Sequence, residues 1–166
     1  MTKYVVGTVD EVGPGMRKIV EVAGRSIGVF NIDGEFFALR NRCPHQGGPL
    51  CEGRLAGLLE SATPGEFVYS RPGEILRCPW HAWEYDIRTG QSYLDPAQVR
   101  VRRYEVGVAE GGAVAAEGPP AAVEVVTIAG DGTRTDGRSG RRPGPYVAET
   151  YPVAREGQYI VIEIDA

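Results

Sequence analysis

The chain has 166 residues, of which 42% are hydrophobic and 24% are charged, and its formal net charge is −4. A chain of this length forms one domain, or one domain with a small subdomain, and can bury roughly two-thirds of its unfolded surface. The mildly acidic charge balance indicates no nucleic-acid partner.

The N-terminal stretch, residues 1–16, lacks the apolar core of a signal peptide. No apolar run approaches the ~18 residues that a membrane helix needs. The 3 cysteines cannot all pair with one another, and a reducing compartment would keep them as thiols or as metal ligands. We therefore expect a cytoplasmic protein with no membrane partner.

Short β-prone runs alternate with turn signals from the start of the chain. Strands are predicted at 17–23 and 25–32, and a third strand at 35–40 follows the turn Asp33-Gly34. Both residues of this turn tolerate positive φ, which favours a hairpin.

Helical periodicity is weak throughout, and residues 53–61 are the one stretch where a short helix is plausible. Further along the chain the sequence predicts these elements: strands at 66–70 and 74–78 around the turn Arg71-Pro72-Gly73, then 84–88, the turn Thr89-Gly90, and a strand at 99–106. This pattern predicts an antiparallel all-β fold.

The region from about 107 to 145 is rich in Gly, Pro and Arg and predicts a long exposed excursion around one strand at 123–129. A solvated loop accounts for its arginines, although they could contact an acidic partner: Arg134, Arg138, Arg141 and Arg142. A final hairpin after residue 146 is expected to close the sheet.

Two motifs carry the chemistry, Cys43-x-His45 and Cys78-x-x-His81, and they contain the 2 histidines of the chain. One intervening residue is too few for the usual zinc knuckle, whose ligands stand two to four residues apart. The two side chains reach two different metal atoms more naturally. A two-iron, two-sulfide cluster with two Cys on one iron and two His on the other needs this ligand set.

The sequences CPHQGGPL (43–50) and CPWHAWEYD (78–86) resemble the two cluster-binding loops of Rieske-type iron–sulfur proteins. The resemblance implies a [2Fe-2S] cluster with Cys43 and Cys78 on the buried iron and with His45 and His81 on the outer iron. It also implies a Rieske-like β-sandwich formed by residues 1–166 as a single domain, with a smaller cluster-binding subdomain at about 41–95.

Departures from other family members indicate the low-potential ferredoxin and oxygenase type. Gly48 and Trp80 stand where Rieske proteins that oxidise quinol have a disulfide, and Trp83 stands where they have a serine that donates to a sulfide. Tyr85 matches a tyrosine that donates to a ligand sulfur. We predict that Trp80, Trp83 and Tyr85 cover the cluster and shape a docking surface, rather than forming a substrate pocket.

An oxygen-activating mononuclear iron needs two more histidines, so we predict no complete substrate-converting site. The resemblance implies a one-electron carrier that accepts electrons from a reductase and passes them to a terminal oxygenase or another redox protein. Two alternatives are an accessory subunit of the nitrite reductase small-subunit type and a zinc-stabilised β module with a binding role.

Two further features of the sequence lie outside the motifs. Cys51 is expected to be a buried thiol rather than a ligand. The insert at 51–75 is predicted to add a hairpin, which either selects a partner or is a tolerated surface insertion.

Overall fold

The computed structural model describes residues 2–116, 124–127 and 157–165. The regular elements in this part of the chain are the strands β1 (Thr2–Thr8), β2 (Arg17–Val22), β3 (Arg25–Ile32), β4 (Glu35–Arg40), β5 (Arg54–Glu60), β6 (Val68–Arg77), β7 (Glu84–Asp86), β8 (Arg103–Glu110), β9 (Glu124–Thr127) and β10 (Gln158–Ile164), and the helix α1 (Gly111–Ala116). No helix among the described residues has the length and apolar character that crossing a bilayer requires.

Seven strands form one antiparallel sheet in the order β1-β10-β8-β4-β3-β2-β9. Strands from both ends of this order contribute to one apolar core, where Val6 of β1 and Ile160 of β10 pack with Val20 of β2 and Val29 of β3. The sheet therefore curves back on itself and encloses this core. The predicted antiparallel all-β sandwich is confirmed.

The strands β2, β3 and β4 contribute apolar side chains to both faces of the sheet. Neighbouring residues of a strand point to opposite faces. Val20 and Ala38 thus face the enclosed core, while Ile19, Phe30 and Leu39 face a second apolar core. This second core joins the large sheet to the segment that carries the two motifs.

That segment contains the second sheet, whose three strands run in the order β5-β6-β7. Leu76 of β6 and Tyr85 of β7 belong to the second apolar core together with Cys43 and Cys78. The guanidinium of the buried Arg17 on β2 donates a hydrogen bond to the carbonyl oxygen of Gly53 and so ties the large sheet to the small one.

Two local predictions are wrong. Residues 53–61 do not form a helix, because Arg54–Glu60 pairs with β6 along its length, and tertiary pairing outweighs a weak local propensity. The sequence Arg71-Pro72-Gly73 does not reverse the chain but forms a bulge within β6, where Arg71 and Gly73 take φ of 51° and 82°.

The remaining predictions are largely confirmed. The insert does add a hairpin, but it pairs β5 with β6 rather than 66–70 with 74–78. As expected, β10 closes the sheet between β1 and β8. The strand predicted at 99–106 begins and ends about four residues later, as β8. Helix α1 was not predicted. The arginines of the excursion lie outside the described residues, as do residues 146–156 of the final hairpin.

Candidate iron–sulfur cluster site

The first motif lies on a tight loop, residues 43–48, called here the first loop. The Cys43 N–H donates to the carbonyl oxygen of Gly48 at 2.8 Å, and the Gly47 N–H donates to the carbonyl oxygen of Cys43 at 2.8 Å. Gly47 has a φ of 79°. Few residues other than glycine take this conformation. Gly47 therefore allows the tight turn that follows His45.

The second loop, residues 78–83, has the same backbone design. The Cys78 N–H donates to the carbonyl oxygen of Trp83 at 2.8 Å, and the Ala82 N–H donates to the carbonyl oxygen of Cys78 at 3.0 Å. Ala82 takes the position of the glycine with a φ of 57°. This equivalence could not be predicted from the sequence, since an alanine at that position does not indicate positive φ.

The two motif cysteines are buried next to each other at the base of the loops, with only 2% of Cys43 and 3% of Cys78 exposed. Burial raises the pKa of the Cys78 thiol, and the neighbouring Cys43 thiol raises it further, while the backbone N–H groups of Trp80 and His81 act in the opposite direction. The two sulfurs therefore share one apolar site, and backbone N–H groups of the second loop point at the sulfur of Cys78.

The Tyr85 hydroxyl lies 3.3 Å from the sulfur of Cys43, which confirms the predicted contact. Tyr85 is fully buried on β7. Burial raises the pKa of the phenol, and the adjoining Cys43 raises it further, so the hydroxyl keeps its proton to donate to sulfur.

The two histidines are exposed at the tip of the loops. The ring centroids of His45 and His81 lie 4.9 Å apart, with the ring planes at 82°. On its other side the imidazole of His45 stacks on the indole of Trp83, with 4.4 Å between centroids and 12° between planes. The sequence predicted Trp83 as part of an apolar cover, but it did not predict this stack.

Trp80 of the second loop packs against the first loop. A Cβ atom on Gly48 would lie 2.8 Å from a ring carbon of Trp80, so the indole rests directly on the backbone of the first loop. The rest of the indole faces solvent, with 57% of Trp80 exposed. The indole thus packs across the two loops, and its exposed face is available to the predicted docking surface.

Cys51 lies apart from the two loops and is a buried thiol, as predicted. Its sulfur faces the carbonyl oxygen of Leu39 at 3.7 Å and presses against Gly28, where no side chain would fit. Complete burial raises the pKa of this thiol to about 12, so it stays protonated and unreactive.

The arrangement fits a two-iron cluster better than a single metal ion. No three or more His, Cys, Asp or Glu side chains within the described ranges surround one ion position, whereas a tetrahedral zinc site takes four ligands. The loops instead offer a buried pair of thiols and a separate exposed pair of imidazoles. These two donor sets match the two unlike irons of a Rieske centre.

Comparison with known proteins agrees with this fit. A model of the Rieske [2Fe-2S] domain matches residues 2–105. The ferredoxin subunit of 3-phenylpropionate/cinnamic acid dioxygenase from Photorhabdus laumondii is 32% identical over 111 residues, which cover 67% of this chain and 90% of that protein. The ferredoxin subunit of biphenyl dioxygenase from a Pseudomonas species is 30% identical over 108 residues, which cover 65% of this chain and 85% of that protein.

Among solved structures, the ferredoxin of carbazole 1,9a-dioxygenase from Nocardioides aromaticivorans is similar to this chain, with 26% identity and a TM-score of 0.49. The similarity covers 66% of this chain and 91% of that ferredoxin.

Proposed function

The chain belongs to the Rieske [2Fe-2S] family, and on this premise we propose that it carries single electrons from a reductase to a terminal oxygenase. Two similar proteins, from Photorhabdus and Pseudomonas, are ferredoxin subunits of dioxygenases, which supports a role as the carrier rather than as the oxygenase. When bound, the cluster takes up and releases one electron.

We propose that Cys43 and Cys78 hold the buried iron and that His45 and His81 hold the outer one. The observation that carries this proposal is the separation of the two pairs of donors. The two thiols are buried at the base of the loops, and the two imidazoles are exposed at their tip. The thiol pair is shielded from water, while the imidazole pair is the part of the site that a partner can touch. Electrons would enter and leave at the tip.

The composition of the purified protein tests this function. We expect a reddish-brown protein with about two irons and two acid-labile sulfides per chain, which is reduced and reoxidised by one electron. A colourless protein with one zinc would instead support a zinc-stabilised binding module. A cluster that is present but cannot pass electrons to any oxygenase would support an accessory subunit.

The midpoint potential should lie near the lower end of the Rieske range, at about −150 mV. Hydrogen bonds to the sulfurs favour the more negative, reduced state and raise the potential. Tyr85 supplies one such donor, while Trp83 has no hydroxyl to replace the serine of the quinol-oxidising members. Protein-film voltammetry measures this value, and a midpoint near +300 mV, the upper end of the range, would favour quinol oxidation instead.

Replacing Tyr85 with phenylalanine should lower the potential by some tens of millivolts. The ring keeps its packing while the donor to Cys43 is lost. One neutral hydrogen bond contributes about 1 kcal/mol, which corresponds to roughly 43 mV for one electron. Tyr93→Phe is the matched control, because the Tyr93 hydroxyl contacts Arg71 and Asp86 rather than a sulfur. An equal shift in both variants would show that the Tyr85 hydroxyl does not act on the site.

We further propose that residues 1–166 form a single domain, in which 41–95 is the cluster-binding unit, and that the protein is cytoplasmic. The apolar core shared by the large sheet and the two loops supports the single domain. The thiol of Cys51, which is not a proposed ligand and forms no disulfide with the other described cysteines, supports a reducing compartment. Limited proteolysis of the purified protein and fractionation of the cells would test these two points.

A further inference from the structure

A cavity of about 420 Å³ lies beside the first loop and is lined by Arg40, Arg42, Arg102 and the loop residues 43–47. We call this cavity the arginine pocket. Its lining contains no acidic residue. We propose that it receives a carboxylate from an acidic surface on the protein that donates electrons to this chain. The proposal rests on the electron-carrier function proposed above and identifies the chemistry of one partner.

Backbone pairing holds two of the arginines together. The Arg40 N–H at the end of β4 donates to the carbonyl oxygen of Arg102, which immediately precedes β8, at 2.9 Å. Like charges on neighbouring strands repel each other. The buried Tyr104 reduces this cost, because the Arg40 guanidinium lies 3.4 Å from its hydroxyl and the Arg102 guanidinium lies 5.5 Å from its ring centroid. The two guanidinium groups are therefore in place before any anion arrives.

The third arginine lies against the loop itself. The guanidinium of Arg42 is 3.6 Å from the point where a Cβ atom on Gly47 would stand. A side chain in place of this glycine would thus contact the guanidinium. Arg42 is exposed, so its remaining donors are available to a ligand. A planar guanidinium binds a carboxylate through two parallel hydrogen bonds.

Described residues compensate little of the charge of the pocket. Arg40 and Arg42 form no salt bridge with any described residue, and Arg102 has only the exposed Asp165, at 3.6 Å. By contrast, three arginines of the small sheet and its neighbourhood are paired with carboxylates: Arg71, Arg77 and Arg88. With a net charge of −4 for the whole chain, this positive site is a local feature and not a general one.

The position of the pocket indicates which partner it receives. Its wall includes His45, so a carboxylate bound there lies next to the site that gains a negative charge on reduction. Repulsion between these charges means that the oxidised protein binds an acidic partner more tightly than the reduced protein does. A partner that binds the oxidised form and releases the reduced form is an electron donor.

A peptide of six aspartates is the probe for this site, and a peptide of six serines is the uncharged control. Isothermal titration of the purified protein, at low and at high salt, should show binding of the aspartate peptide alone, and high salt should weaken it. Arg42→Gln should reduce the affinity by roughly tenfold, the effect of one charge-assisted hydrogen bond. Arg54→Gln removes an exposed arginine that does not line the pocket and should leave the affinity unchanged.

The redox state supplies a second readout. The dithionite-reduced protein should bind the aspartate peptide more weakly than the oxidised protein does. Equal losses in Arg42→Gln and Arg54→Gln, or no binding at all, would overturn the pocket as the site. Tighter or equal binding by the reduced protein would overturn the assignment to the electron donor. The visible spectrum of the same samples separates these outcomes from failure of the proposed function, which would leave the protein colourless.

Discussion

Alanine in place of any one of the four proposed ligands is expected to abolish or badly destabilise the cluster. The variants are Cys43→Ala, His45→Ala, Cys78→Ala and His81→Ala. Each removes one of the two donors proposed for an iron, and ligands that complete a metal site also contribute to folding stability. The visible absorption spectrum and the iron content of each purified variant measure the loss.

Cys51→Ser is the matched control for these variants. Its sulfur lies against the carbonyl oxygen of Leu39, so a hydroxyl in its place has an acceptor within the core. We expect this variant to keep about two irons per chain. If Cys51→Ser loses the cluster while His45→Ala keeps a normal one, the ligand assignment is wrong.

Much of the fold could be predicted from local sequence. The turn Asp33-Gly34 and the runs on either side of it predicted β3 and β4 with the bounds that the structure has, because both residues of the turn take positive φ. Where pairing with another strand decides the conformation, the local sequence pattern was insufficient. Residues 53–61 became a strand only because β6 lies beside them.

The candidate site was predictable to a different degree. The spacing of Cys43, His45, Cys78 and His81 indicated the donor set, since metal chemistry restricts which residues can act together. The shared backbone design of the two loops could not be predicted, because Ala82 stands where the first loop has a glycine. The arginine pocket could not be predicted either, because Arg40 and Arg102 are 62 positions apart and meet only through the pairing of β4 with β8. Features built by strand pairing leave no local signal in the sequence.

Gly53→Ala is expected to destabilise the protein severely, by about 3 kcal/mol or more. Gly53 follows the 3₁₀ turn Leu50–Glu52, which leaves the first loop. A Cβ atom at this position would overlap the carbonyl oxygen of Arg77, the residue that precedes Cys78. An alanine would therefore push apart the two segments that bring the loops together, and we expect the cluster to be lost with the packing.

The backbone of Gly53 shows that this cost is steric. Its φ of −72° and ψ of −179° are ordinary for any residue, so alanine meets no dihedral penalty. Gly15 presents the opposite case, with a φ of 75° and open space around it. Gly15→Ala should thus cost only about 1 kcal/mol, the dihedral penalty alone. Gly107→Ala, which has open space and no positive φ, should be close to neutral.

Denaturant unfolding followed by far-UV circular dichroism, with visible absorbance recorded on the same samples, compares the three variants. The expected order of destabilisation is Gly53→Ala, then Gly15→Ala, then Gly107→Ala. Since the carbonyl group of Gly53 also accepts the hydrogen bond from the buried Arg17, any shift of this residue weakens the tie between the two sheets as well. A Gly53→Ala protein as stable as Gly15→Ala, with its cluster intact, would show that the strand before Cys78 can move aside without cost.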